Sequence, residues 1–528
     1  MTGSAPENLV PPAIPAQPEY PSPGRRLVIT GSVMLASLIV ALDMTIANVA
    51  LPQMQSSLLA SSEQIIWVLT SYLLASAIMT PLSSWLASRY GRRLVMGLSA
   101  AIFTAASLAC GLSNGLTMMV VARTVQGIAG AGLIPLGLAT LLDINPPERQ
   151  GQAMAIAGLG TMAGPLIGPS LGGWLTDSYS WRWVFLINIP LGILAFAGIW
   201  AYLPDLRDRA IGKFDGFGFA TVSLFLGFFQ LMMDRGQMLD WFDSTEVCIE
   251  TGLMLLAGFL GVVHMLTAKD TFVRAELFAD RNFAIGCIIG AIFGLVVFAT
   301  VPLVTVMMQA QLGYTSFHSG FVSMPRGAGS VVGLILVGIM ITRVRPQVLL
   351  SIGLIGSAAG LFLFSRISLD TDELPLRIAG FIQGLFGGFI MTPLSMLVFS
   401  SLPTRLRNEG AAIFALTRNI GASLGISAIQ VLTIHNTAAV TSRLTEGVRP
   451  DNPQLQMSAP QIDFDTTASL VAISRQIGRQ AAMVATIDTL WVASLLAVAT
   501  VPLVYLMKSR RPGADGAMPA SAMMADAH

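Results

Sequence analysis

The sequence predicts an all-α polytopic membrane protein with fourteen transmembrane helices. These form two pseudo-symmetric six-helix bundles with two helices inserted between them. Three observations carry that reading. The chain is 54% hydrophobic and only 11% charged, where soluble domains carry about 25% charged residues. Its apolar runs repeatedly reach the ~20 residues that a helix needs to cross a hydrocarbon core about 30 Å thick. Two stretches about 257 residues apart also resemble each other.

Residues 1–26 hold the prolines Pro6, Pro11, Pro12, Pro15, Pro18, Pro21 and Pro23. Such a segment is expected to be a disordered cytoplasmic tail. Spans are then predicted near 27–51, 64–87, 94–113, 116–142, 152–176 and 183–203, which make the N-terminal half, 27–204. Spans near 216–234 and 247–268 form the inserted pair, 205–282. The C-terminal half, 283–507, has spans near 283–311, 317–342, 346–366, 375–401, 409–433 and 484–507, with a long outer loop at 434–483. A cytoplasmic tail, 508–528, follows.

An even number of spans puts both termini on one side, and cationic side chains select the cytoplasmic side. With both termini inside, the tails and inner loops hold nineteen of the 30 Lys and Arg residues and the outer loops eight. Three more lie within spans. The repeat supports the two halves. "QGIAGAGLIPLGLATLL" begins at Gln126 and "QGLFGGFIMTPLSMLVF" at Gln383, and each leads through a short polar turn into a glycine-bearing span. Two similar halves around a central site suit alternating-access transport.

Four formal charges fall well inside spans: Asp43, Arg123, Arg326 and Arg418. Each costs at least about 2.5–3.5 kcal/mol to insert, so each is a functional candidate or a structural ion pair. Asp43 stands in "SLIVALDMTIANVALP". It lies roughly 24 Å up from the cytoplasmic end at 1.5 Å per residue, and Arg123 lies roughly 10 Å down from the outer end. Both reach the outer half of the membrane, where they can pair directly or through water. Gln126 is one turn from Arg123 on the same helix face. A carboxylate at that depth can cycle between protonated and ionised forms, because low dielectric favours the neutral form and a guanidinium the charged one. Arginine does not titrate usefully. Asp43 is therefore the expected proton carrier and Arg123 its tuner.

Span five reads "GLGTMAGPLIGPSLGGWL". Gly160, Gly164, Gly168 and Gly172 recur every four residues and form one bare ridge for close helix approach. Pro165 and Pro169 each remove a backbone hydrogen bond. Together they suggest a helix that bends or slides. Candidate substrate-lining side chains are Trp67, Tyr72, Gln126, Gln309 and Met391, of types that adapt to varied apolar ligands. Each can equally face lipid or pack between helices.

Composition excludes other classes. The net charge of +1 and the lack of a basic cluster give no reason to expect a nucleic-acid partner. Cys110, Cys248 and Cys287 and the four histidines show no metal-ligand spacing. No nucleophile–base set appears, so neither an enzyme nor a bound cofactor is expected.

The motifs resemble the major facilitator superfamily, specifically its fourteen-span drug:proton antiporter branch, over about residues 27–507. "LDMTIANVALP" at 42–52 resembles that branch's first-span signature, with Ala47 where valine is usual. "RTVQGIAGAG" at 123–132 resembles the fourth-span motif, whose arginine is implicated in proton coupling. "GLGTMAGPLIGPSLGG" at 158–173 resembles the antiporter motif of span five, and "SWRWVFLINIPLG" at 180–192 the entry to span six. The loop "SWLASRYGRR" at 84–93 departs from G-x-L-A-D-R-x-G-R-R. Arg89, Gly91, Arg92 and Arg93 match, while Ser88 replaces the aspartate that helps to lock the family's cytoplasmic gate.

The resemblance implies an inner-membrane exporter of hydrophobic or amphipathic small molecules, driven by the proton gradient. It also raises a periplasmic adaptor and an outer-membrane channel as partners, with 434–483 as the docking element or a plain connector. The rival readings are a proton-coupled symporter or metabolite exporter on the same fold, or a membrane enzyme or scaffold.

Overall fold

The computed structural model describes residues 20–146, 149, 164, 166–204, 214–236, 239–268, 271, 274–341, 343–446, 448 and 466–508. Twelve helices among them are long and apolar enough to cross a membrane. They coincide with twelve of the fourteen expected spans. The thirteenth is present as the helix Thr404–Glu446. Of the fifth, only residues 164 and 166 onward are described.

Local chemistry sets the helix ends. The first helix runs Pro23–Ser57 with proline in its first turn, where the missing N–H has no helical partner to lose. It therefore starts inside the segment 1–26 that was expected to be an unstructured tail. Residues 1–19 of that segment, and 509–528 of the other tail, lie outside the described residues. The second helix, Trp67–Tyr90, ends at Gly91 with φ of +95°, a backbone state that favours glycine. Side-chain caps open later helices. Asp215 accepts from Gly218 N, Asp280 from Phe283 N and Thr315 from His318 N.

The long outer loop expected at 434–483 is corrected. The thirteenth helix continues to Glu446, and the fourteenth starts at Thr467 and runs to Ala499. Only the stretch between them lies mostly outside the described residues. The loop reading came from the charged and polar residues in this stretch, which mark water rather than the absence of helix. At 1.5 Å per residue the thirteenth helix is about 65 Å long, twice the hydrocarbon thickness. Its polar end is a helix standing in water.

Two large apolar clusters are buried. One joins Ile39, Ile46, Tyr72, Phe103 and Phe185 with the outer parts of the C-terminal half. The other gathers Phe283, Leu354, Leu397 and Phe414. Of the inserted helices, Gly216–Arg235 packs on the second and thirteenth spans and Thr245–Thr267 packs on Gly216–Arg235. Much of the second inserted helix is exposed apolar surface, including Ile249, Leu256 and Phe259, as a lipid-facing helix requires.

Hydrogen bonds between the halves cluster at one end, the end that the charge count places outside. There Gln53 Nε2 donates to Ser316 Oγ at 3.3 Å, and Phe317 N donates to Asp177 Oδ2 at 2.7 Å. Gln309 Nε2 donates to Val49 O at 2.8 Å, and Gln430 Nε2 to Ser62 O at 3.0 Å. Backbones also touch there. A Cβ on Gly320 would lie 2.1 Å from Pro169 O, and one on Gly173 would lie 2.3 Å from Ser316 O. That end of the molecule is shut.

Candidate functional site

Asp43 and Arg123 meet directly. Both are fully buried, at 0% and 1% exposure. Arg123 Nη1 donates to Asp43 Oδ2 at 2.5 Å and to Gln126 Oε1 at 2.7 Å. Gln126 Nε2 donates to Asp43 Oδ1 at 2.9 Å and to Ser107 Oγ at 2.8 Å. Asn188 Nδ2 reaches the same Oδ1 at 3.2 Å, and Arg123 Nε donates to Val68 O at 2.8 Å. The guanidinium lies 4.3 Å from the Tyr72 ring centroid, a cation–π distance. Five helices of the N-terminal half thus hold one ion pair. The two Asp43 oxygens together accept from Arg123, Gln126 and Asn188.

A cavity of about 540 Å³ lies between the halves. Met44, Thr45 and Asn48 of the first helix line it, on the side of that helix turned away from Asp43. Pro169 of the fifth span also lines it, as do Phe298, Met308, Ser323, Ser330, Gln383 and Met391 of the C-terminal half. Among the described residues, Arg326 and Arg418 are its only charged lining residues. Neither has a carboxylate partner among the described residues. Arg326 Nη2 donates to Val297 O at 3.1 Å, and Arg418 reaches only Asn419 Oδ1, at 3.3–3.4 Å.

Of the five substrate-lining candidates, Met391 lines this cavity and the other four lie outside its lining. Tyr72 is buried beneath Arg123, and Gln126 belongs to the ion-pair network. Gln309 bridges the halves through Val49 O and Ser319 Oγ. Trp67 lies near the closed end of span two, away from the cavity lining. Each was chosen by residue type alone, and type does not say which helix face meets the partner half. Gln383 was missed although the internal repeat marks it. Asn188 and Ser107 were missed because neither stands out from its own stretch.

The span-five ridge packs on the first helix around Asp43. A Cβ on Gly164 would lie 2.5 Å from Ala41 C, one on Gly168 2.2 Å from Thr45 Oγ1, and one on Gly172 2.5 Å from Ile46 Cγ1. Thr45 Oγ1 also donates to Gly164 O at 3.1 Å. Gly160 and Pro165 lie outside the described residues.

In the 84–93 loop, Ser88 only bonds back to Ser84 O. Arg92 pairs with Asp143 at the end of the fourth span, so a carboxylate from another helix meets the basic cluster here. Arg89 lies 5.5 Å from the Trp85 ring and Arg93 lies 5.7 Å from the Trp200 ring.

Two linked helical halves, a buried ion pair and a cavity between the halves define a secondary transporter. Residues 33–426 match the Major Facilitator Superfamily, and the chain belongs to it. It is 32% identical over 502 residues to the multidrug export protein EmrB of Escherichia coli strain K12, covering 93% of this chain and 97% of that one. It is 29% identical over 486 residues to the fatty acid resistance protein FarB of Neisseria gonorrhoeae, covering 91% and 96%. Among solved structures, it is similar to a bacterial homologue of the human lysosomal transporter Spinster, in an inward-facing, occupied conformation. That match has a TM-score of 0.62 and 16% identity, and it covers 93% of this chain and 100% of the other. The family is one of transporters, and this protein is a multi-pass membrane member of it.

Proposed function

We propose that the protein is a proton-driven exporter of amphipathic small molecules, working by alternating access across the inner membrane with both termini cytoplasmic. The buried Asp43–Arg123 pair carries this reading, because it lies one helix face away from the cavity. Asp43 takes and gives the proton, while Arg123 and Gln126 hold it charged between turnovers. Movement of span five along the first helix displaces Ala41 and Thr45, which flank Asp43, and so links cavity occupancy to the ion pair. No bound cofactor is required, since the proton gradient supplies the energy.

The cavity wall is apolar apart from small polar groups and two guanidiniums. That chemistry suits an apolar body with an anionic head. The bonds joining the halves at the outer end favour reading this state as closed to the outside. The helical arm of spans thirteen and fourteen supplies a surface for a periplasmic adaptor that leads to an outer-membrane channel.

Purified protein in liposomes tests the function. An imposed proton gradient should drive an amphipathic carboxylate against its own gradient, with protons moving the opposite way, and an uncoupler should stop it. Substrate and proton moving together would make the protein a symporter. An adaptor is tested separately, by cross-linking from residues 440–446.

A further inference from the structure

Asp234 is the last residue but one of the first inserted helix, Gly216–Arg235. It has no ion-pair partner among the described residues. Thr70 of span two donates to its Oδ2 at 2.9 Å. Gln230 Nε2 donates to Oδ1 at 2.8 Å, and Ser427 of span thirteen donates to the same oxygen. Thr70, Gln230 and Ser427 are all buried. One half-buried carboxylate therefore joins the inserted pair to both halves of the transporter, using neutral donors only.

Charged groups on the surrounding elements are engaged elsewhere or distant in sequence. Arg235 turns to Glu246 at 2.5 Å and Glu250 at 3.1 Å on the second inserted helix. Asp240 and Asp243 lie in the turn beyond. Glu63 precedes span two, and Arg89 is at its opposite end. On span thirteen, Arg418 faces the cavity and His435 lies two turns past Ser427. None of them makes an ion pair with Asp234.

Both hydroxyls have a second acceptor. Thr70 Oγ1 lies 3.3 Å from Ile66 O, and Ser427 Oγ lies 3.4 Å from Ser423 O. A hydroxyl has one hydrogen. With Asp234 ionised, Thr70 and Ser427 give theirs to the carboxylate. With Asp234 protonated, the new O–H donates to Thr70 Oγ1, and Thr70 passes its own hydrogen to Ile66 O. The network can be satisfied in either state, which a purely structural carboxylate does not need.

We propose that Asp234 is a second proton-binding site, separate from Asp43, at which a proton from the outer side loosens the junction of spans two, seven and thirteen. Spans two, seven and thirteen meet at this level, where Ser423 Oγ donates to Gln230 Oε1 at 2.9 Å and lies 3.4 Å from Thr70 O. Bonds to a charged acceptor are roughly twice as strong as neutral ones. The ionised form therefore holds the outer end shut, and protonation favours opening. Acid on the outside then promotes the state that must take up protons. The role in the cycle rests on the exporter reading, but the proton site itself does not.

The test is a distance measurement. Spin labels at Leu59→Cys and Ser442→Cys, with exposed Cys248 replaced by serine, span the outer end. In detergent without substrate, lowering the pH should raise the population with the longer distance along a single titration. Asp234→Asn should hold the longer distance at all pH values, while Asp43→Asn should keep the titration. Thr70→Val and Ser427→Ala, which remove a donor to the ionised form, should each raise the midpoint by about one pH unit. A pH-independent distance in the parent protein would overturn the proposal. So would a titration that survives Asp234→Asn, or an unchanged midpoint in both hydroxyl variants. None of these readouts depends on transport, so a failure of the exporter reading would be seen separately in liposomes.

Discussion

The two halves use the same place differently. Gln126 and Gln383 occupy equivalent positions, 257 residues apart. The same shift carries Asp43 onto Thr300 and Arg123 onto Gly380. The geometry is retained: Gln126 Nε2 donates to Asp43 at 2.9 Å, and Gln383 Nε2 donates to Thr300 Oγ1 at 3.2 Å. The charges are not. One half buries an ion pair behind its first helix. The other replaces it with a hydroxyl and a glycine, and the space opens into the cavity with Gln383 and Gly380 on its wall. At this place one half holds charge and the other holds space. Arg326 and Arg418 line that space without a carboxylate partner among the described residues.

The largest effect expected from breaking this asymmetry is at Asp43. Asp43→Asn keeps the shape and leaves a buried guanidinium uncompensated. Losing one partner of a buried pair costs about 3–5 kcal/mol, so thermal stability in detergent should fall and proton-driven transport should drop to background. Asp43→Asn combined with Arg123→Gln should recover most of the stability and none of the transport. Full transport in either variant would remove Asp43 from the mechanism.

Next comes the ridge that faces Asp43. Gly164→Leu or Gly168→Leu forces a side chain into the backbone or Thr45 of the first helix and should lower transport per inserted molecule at least ~10-fold, at about 1.4 kcal/mol per decade. Unchanged turnover would show that these glycines do not meet a moving surface.

The comparison can also be run in reverse. Thr300→Asp introduces a buried carboxylate beside Gln383 without a partner and should destabilise the protein by several kcal/mol. Adding Gly380→Arg should restore part of that loss, since a Cβ at Gly380 meets nothing closer than 3.7 Å. A second substitution that only worsens unfolding would mean that the halves are no longer interchangeable here.

Smaller changes test the cavity and the gate. Arg418→Gln should raise KM about 10-fold for an anionic amphiphile, about 1.4 kcal/mol, and leave a neutral substrate little changed. Equal changes for both would detach the guanidinium from recognition. Ser88→Asp, beside Arg89 and Arg92, should add only a surface pair of about 0–1 kcal/mol and compete with Asp143 for Arg92. Cysteine labelling at the cytoplasmic mouth should fall slightly. A rise would show that position 88 is not a latch.

Much of this was legible because lipid makes sequence rules strict. A charge in an apolar run is costly, so Asp43 and Arg123 stood out, and they meet at 2.5 Å. A four-residue glycine period forms a ridge whatever lies against it. What stayed hidden depends on facing. Trp67 and Tyr72 have suitable side chains on the wrong surface, and nothing local marks Asn188 as a third partner of Asp43. Asp234 went unnoticed because it lies at the end of its apolar run, where a carboxylate usually means water. The helical arm was hidden for a related reason: a helix that leaves the bilayer loses its apolar signature and reads as a loop.

The thirteenth helix passes without a break from Arg418 at the cavity, past Ser423 and Ser427 at Asp234, to Glu446 beyond the membrane. From Arg418 to its tip is about 42 Å at 1.5 Å per residue. Such a rod is a lever with a short inner arm and a long outer one. A tilt of about 10° at the cavity moves the tip by roughly 7 Å on that length. Whatever grips the tip therefore feels each turnover as a stroke, and a load on the tip can push back on the cavity.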